Sequence, residues 1–143
     1  MLPWTTYEVM YDSALNQPET FWLDAAQRVT WKHPPVTACR ARADGWHDWF
    51  PDATLNTCHN AVDRHVENGR GGQTALIWHS CATRERKVVT YRELQGRVAG
   101  FAGSLRSLGV EKGDRVLIVM PTMIETTIAM LACARIGAVH VVV

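Results

Sequence analysis

Three side chains able to ligate a metal or move a proton lie close together in the stretch TCHNAVDRHVEN: His59, Asp63 and His65. His59 and Asp63 are four apart, so on a helix they share a face and can meet. His65 is six from His59 and points elsewhere. A metal site needs a third ligand on a common face, so this stretch reads as a polar, half-buried helix face. The four cysteines, Cys39, Cys58, Cys81 and Cys133, contain no C-x-x-C pair. Neither a zinc site nor a disulfide framework is indicated, and the scatter fits a reducing cytoplasm. Cys58 and Cys133 fall on apolar faces, where a thiol behaves as a small hydrophobe; a nucleophile needs an exposed, electropositive setting.

Phosphate chemistry fares no better. Neither G-x-x-x-x-G-K-[ST] nor G-x-G-x-x-G occurs. The glycine-rich NGRGGQT follows a predicted helix and precedes a predicted strand, whereas a phosphate cradle needs a glycine loop leading into a helix N-terminus. It reads as a linker. Arg40 and Arg42 beside Trp46 could touch an anion, but in CRARADG they read as a solvated loop. Trp4, Trp22, Trp31, Trp46 and Trp49 crowd the first half of the chain and read as packing anchors rather than a ligand box. The residues by themselves thus assign no catalytic, cofactor-binding or metal-binding position.

The chain has 143 residues, 47% hydrophobic and 20% charged, with a net charge of +1. That is a globular composition, and no basic stripe of a nucleic-acid binder is present. The N-terminus lacks the basic and apolar regions of a secretory signal. The apolar region 116–143 is broken by Pro121, Glu125, Arg135 and His140, which argues against a spanning helix.

The elements that must position these residues follow from periodicity. Thr5 or Thr6 can cap a first helix carrying Val9, Met10 and Ala14. Pro18 and Glu19 suit the first turn of a second, which would turn Phe21, Trp22, Ala25, Ala26 and Val29 inward. The stretch from Trp31 to Leu55 reads as a long irregular segment held by Trp46, Trp49 and Phe50. A third helix begins near Asn56 or Thr57 and ends at Gly69, with Cys58, Ala61, Val62, His65 and Val66 inward. TALIWH and RKVVTY read as a hairpin joined by SCATRER. Thr90-x-x-Glu93 is a capping box, opening a helix that presents Leu94, Val98, Phe101, Ala102, Leu105 and Leu108 and ends at Gly109. RVLIVM is apolar on both faces, as in a buried parallel strand. A helix from about Met123 to Ile136 follows, then Gly137 and AVHVVV. Strand, helix, strand is a βαβ crossover with its two strands parallel. The closing RIGAVHVVV therefore reads as a strand cut short.

Two stretches, TLNTCHNAVDRHVENG and VEKGDRVLIVMPTMIETTIAMLACARIGAVHVVV, together resemble the N-terminal part of an AMP-forming short-chain acyl-CoA synthetase, in the acetyl- and propionyl-CoA synthetase branch of the adenylate-forming enzymes. YDSALNQPETFWLDAAQRVTW resembles the N-terminal cap segment, and KVVTYREL with GDRVLIVMP resembles the start of the large adenylating domain. NTCHNAVDRH is closer to propionate-type than to acetate-type members. The chain departs from the family at Pro51-Asp52-Ala53, where a glycine pair is usual, and at Val119-Met120-Pro121-Thr122, where YMPM is frequent.

The resemblance implies an α/β fold: a helical cap segment over 1–70, then the beginning of an AMP-binding domain over 71–143 with an incomplete parallel sheet. It implies a parent enzyme that uses ATP, magnesium and CoA to make an acyl-adenylate from a short carboxylate and pass the acyl group to CoA. The family's phosphate loop, its adenine and magnesium contacts and its catalytic lysine correspond to positions after Val143, so no catalytic, cofactor or metal residue is carried onto this chain. On this reading the 143 residues alone are inactive, cytoplasmic and poorly soluble, bind neither nucleic acid nor membrane, and self-associate through the exposed terminal strand. Two alternatives remain open: a stand-alone structural or regulatory module that docks on a full-length synthetase, and a small nucleotide-binding domain using the end of RVLIVM.

Overall fold

The computed structural model describes residues 6–143. These divide into two compact units, the first ending at Leu55 and the second spanning Asn56–Val143. Thr5 and Trp4, named above as a possible cap and anchor, lie outside the described residues.

In the first unit, α1 spans Tyr7–Asn16 and is capped by Thr6, whose hydroxyl accepts the Val9 N–H at 3.4 Å. Of the apolar residues at helical spacing, Met10 and Ala14 are half-buried and Val9 is exposed. Tyr7 and Tyr11, four apart, stack on each other. Helix α2, Pro18–Ala26, has its proline in the first turn and buries Phe21 and Ala26. Glu19 accepts the Ala38 N–H at 2.8 Å, an acceptor role beyond its place near the helix dipole. Trp22 is part-exposed and sits edge-on to Trp49 at 5.3 Å. The segment after α2 is not wholly irregular. It contains an antiparallel hairpin of β1, Cys39–Ala41, and β2, His47–Trp49. Trp46 lies at the hairpin tip, 74% exposed, and anchors nothing, whereas Trp31 and Phe50 do pack together at 5.4 Å. The Asp52 carboxylate accepts the Val36 and Thr37 N–H groups and closes the proline-rich loop.

The second unit begins with a helix over 57–70 that widens to i→i+5 turns at His59–Asp63 and Val66–Arg70. Gly69, at φ +77°, ends it, a left-handed conformation glycine adopts without steric cost. Cys58 and Val62 face inward as expected, but Ala61 is exposed. Next comes the hairpin of β3, Thr74–His79, and β4, Arg86–Thr90, with Ile77 opposite Val88. Helix α3, Tyr91–Ser107, starts on the Thr90–Glu93 capping box in both directions. It buries Leu94, Val98, Ala102 and Leu105, while Leu108 is 80% exposed and Phe101 is only partly covered, at 42%.

Strand β5, Arg115–Ile118, helix α4, Ile124–Ile136, and strand β6, Val139–Val142, form the βαβ unit, with β5 and β6 parallel. Partners in a parallel pair share a face. Leu117 and Val141 therefore lie together, both exposed, and Val119 and Val139 beside them are exposed too. Ile118 on the opposite face is buried. The expectation of burial on both faces fails here, since α4 covers one side and no described element covers the other. The core joins Cys58 and Val62 to Leu94, Val98, Ile128, Ala132, Cys133 and Ile136.

Candidate functional site

Burying Cys58 and Val62 brings the next residue, Asp63, to the edge of the core. There the helix over 57–70 meets α3 and α4. The Asp63 Oδ1 accepts Arg135 Nη2 at 2.6 Å and Gln95 Nε2 at 2.9 Å. The Asp63 and Arg135 side chains are 14% and 26% exposed, so solvent screens this pair less than a surface pair. Burial works against the Arg135 charge; the Asp63 hydrogen bond and the neighbouring Cys58 outweigh it, and the guanidinium is held above its ordinary value. Asn56 adds a tie to the backbone, its Nδ2 donating to the Arg135 carbonyl at 3.0 Å while its Oδ1 accepts the His59 N–H.

This node changes the reading of the histidines. Asp63 is engaged across the core, so His59 does not meet it; its Nε2 lies 3.1 Å from Glu67 Oε2 instead. The widened turns also break the i, i+4 spacing on which the expected contact rested. His65 packs on the Tyr91 ring at 4.7 Å, with Arg70 Nη1 3.3 Å from its Nδ1. Burial, then the charges of Arg70 and Arg64, holds its pKa below the usual value, which favours the neutral ring. Among the described residues no three His, Cys, Asp or Glu side chains are placed to hold a metal ion. Cys58 and Cys133 are fully buried, and burial pushes both thiols up, with Arg135 only partly opposing it at Cys58. Neither is poised as a nucleophile.

The NGRGGQT loop presents carbonyls, not N–H groups, to the helix that follows. Gly71 and Gln73 oxygens accept the Arg92 and Tyr91 N–H groups, each at 3.0 Å. Thr90 Oγ1 takes the Glu93 N–H. The first donors of α3 are thus occupied from within, and the loop cannot cradle a phosphate there. In the first unit Arg42 pairs with Asp44 at 2.8 Å, and Arg40 and Trp46 are exposed; the stretch is solvated as expected, but Arg40 belongs to strand β1 and not to a loop. The tryptophan region holds a shallow groove of about 630 Å³ lined by Leu23, Ala26, Val29, Trp31 and Val36, with Gln27 its polar member.

In open α/β sheets, ligands bind outside the carboxyl ends of the strands. At that end of β5 the chain turns through Val119–Met123. Trp78 Nε1 donates to the Thr122 carbonyl at 3.0 Å, and Thr126 Oγ1 to the Pro121 carbonyl at 2.7 Å. Arg97 pairs with Glu125 at 2.6 Å in the first turn of α4. Met120, Phe101, Ile128 and this ion pair line a groove of about 490 Å³. This edge of the parallel pair is built from the turn after β5 and the start of α4. The Asp63–Arg135 node could not be read from sequence, because its partners lie 72 residues apart. The available hint was an arginine inside the otherwise apolar helix LACARIG.

Residues 7–61 match the family model described as acetyl-coenzyme A synthetase N-terminus, and residues 62–143 match that described as AMP-binding enzyme. The chain belongs to the AMP-binding enzyme family. Within it, the paired matches place the chain in the AMP-forming short-chain acyl-CoA synthetase branch. It is 44% identical over 140 residues to an acetyl-coenzyme A synthetase of Sodalis glossinidius, covering 96% of this chain and 21% of that protein. It is 41% identical over 134 residues to the mitochondrial acyl-CoA synthetase short-chain family member 3 of Bos taurus, covering 94% of this chain and 20% of that one. Among solved structures it resembles an acetoacetyl-CoA synthetase from Streptomyces lividans, with TM-score 0.82 and 30% identity over 96% of this chain and 21% of that chain. The chain spans about a fifth of the length of the relatives it matches.

Proposed function

We propose that these residues serve an AMP-forming ligase that joins acetate or propionate to CoA through an acyl-adenylate. The observation that carries the reading is the pair of abutting family matches, which together run across residues 7–143. ATP, magnesium and CoA are the proposed cofactors. Residues outside this segment are proposed to hold them. What this chain contributes is scaffold: the parallel pair β5 and β6 aligned by α4, and the tethered turn after β5. A transition state that spreads charge over phosphate oxygens needs cations and backbone donors aimed at it. The first donors of α3 are committed to its cap and to the loop before it.

We further propose that the complete enzyme prefers propionate, a reading that rests on NTCHNAVDRH, and that it works in the cytoplasm. No helix among the described residues is long and apolar enough to cross a membrane. The test is ATP–pyrophosphate exchange with each carboxylate. The 143-residue chain alone should give none, and exchange above background would overturn its proposed inactivity. In the complete enzyme, kcat/KM for propionate should exceed that for acetate. The reverse order would remove the propionate assignment and leave the ligase class standing.

A further inference from the structure

Arg135 occupies the last turn of α4, where a cation complements the helix dipole. Only Ile136, Gly137 and Ala138 separate it from the start of β6 at Val139. Gly137 is left-handed at φ +81°, and its missing side chain matters: a Cβ there would lie 2.9 Å from Lys112 Cγ. The same turn is gripped from the β5 side, where Gly137 O accepts the Gly113 N–H at 2.9 Å and the Val139 N–H donates to Asp114 O at 2.7 Å. From the other side it is gripped through Arg135, by Asp63 at its guanidinium and by Asn56 at its carbonyl. Arg135 Nε is buried with no hydrogen-bond partner, so the head group depends on Asp63 and on the thiol of Cys58.

We infer that Asp63 and Arg135 are a lock that sets the axial height of α4's last turn and thereby the register of β6 against β5. A packed helix end three residues from a strand transmits displacement directly, because close-packed interiors are stiff. Asp63, on the helix over 57–70, then acts as a positioning residue for whatever the carboxyl end of β6 carries. That last step rests on the ligase reading, in which the carboxyl ends of parallel strands face the ligands. The lock itself does not.

The experiment is amide hydrogen exchange on the 143-residue chain at low micromolar concentration, which needs neither ligand nor turnover. A failure here is therefore distinct from a failure of the ligase reading. In Asp63→Asn, the hydrogen-bonded amides of Gly137, Ala138, Val139 and Val143 should exchange about tenfold faster or more, while those of β3 and β4 stay within about twofold of wild type. Arg135→Met should do the same, and the double variant should be no worse than either single one. Asp63→Glu, which keeps the charge, should restore most of the protection. If Asp63→Asn does not fold, Asn56→Ala decides the matter: it removes the carbonyl tie without unpairing a charge, and should speed the same amides by about threefold. Unchanged exchange in β6, or acceleration spread evenly over the unit, would overturn the lock.

Discussion

Helix α3 carries three glycines, Gly96, Gly100 and Gly103, in its interior, all exposed and with no positive φ. A Cβ built at each meets nothing within 4 Å. Replacing each by alanine should therefore gain the full helix-propensity difference, about 0.5–1 kcal/mol per site, with no packing cost to offset it. The triple variant Gly96→Ala/Gly100→Ala/Gly103→Ala should gain about 1.5–3 kcal/mol. For a unit of this size about 1 kcal/mol moves the midpoint by roughly 4–8 °C, so the triple variant should melt roughly 6–24 °C higher. The contrast is Gly137→Ala, whose backbone is left-handed and whose Cβ would lie 2.9 Å from Lys112 Cγ; it should lower the midpoint. Thermal unfolding followed by circular dichroism reads both. A triple variant no more stable than wild type would refute the claim that this helix face is open.

Other predictions follow from the same structure. Native alkylation should modify the exposed Cys81 first and the half-buried Cys39 more slowly, with Cys58 and Cys133 reacting only after unfolding; mass mapping of early Cys58 modification would contradict its burial. The Thr90 N–H, then the Thr90 hydroxyl, holds the Glu93 carboxyl below its ordinary 4.5. A depressed carboxylate stabilises the fold above its unfolded pKa and ceases to do so as pH falls through the folded value. Thermal midpoints should thus drop on acidification below about pH 4.5, with a shallower drop in Glu93→Gln; identical slopes would remove the box from the account. The exposed apolar face of Leu117, Val119, Val139 and Val141 should make the chain self-associate. Sedimentation velocity should show concentration dependence that Leu117→Lys/Val141→Lys abolishes, and a concentration-independent wild type would contradict it.

Local signals were legible in the sequence. The Thr90–Glu93 box, the prolines and glycines at helix ends and the strand runs depend on residues within a few positions of one another, and each element appears close to where its residues place it. The βαβ unit was legible for the same reason, since its order alone dictates parallel pairing. Which apolar residues are covered was not. Phe101, Leu108, Leu117 and Trp46 sit at periodic or aromatic positions that predict burial, but burial needs a neighbour that periodicity does not supply. The β1–β2 hairpin was hidden because three-residue strands carry too few positions to show alternation. The Asp63–Arg135–Gln95 node was hidden because it joins three helices across the core, and the i, i+4 rule drew Asp63 toward His59 instead.

The central claim is that these residues are the scaffold of a short-chain acyl-CoA synthetase and not its reacting groups. Joining residues 1–143 to the remainder of the 44%-identical acetyl-coenzyme A synthetase, in place of its own matching segment, tests this most directly. Acetate-dependent ATP–pyrophosphate exchange should appear in the joined protein and be absent from the 143-residue chain. A joined protein that folds and gives no exchange, or a lone chain that gives it, would contradict the account.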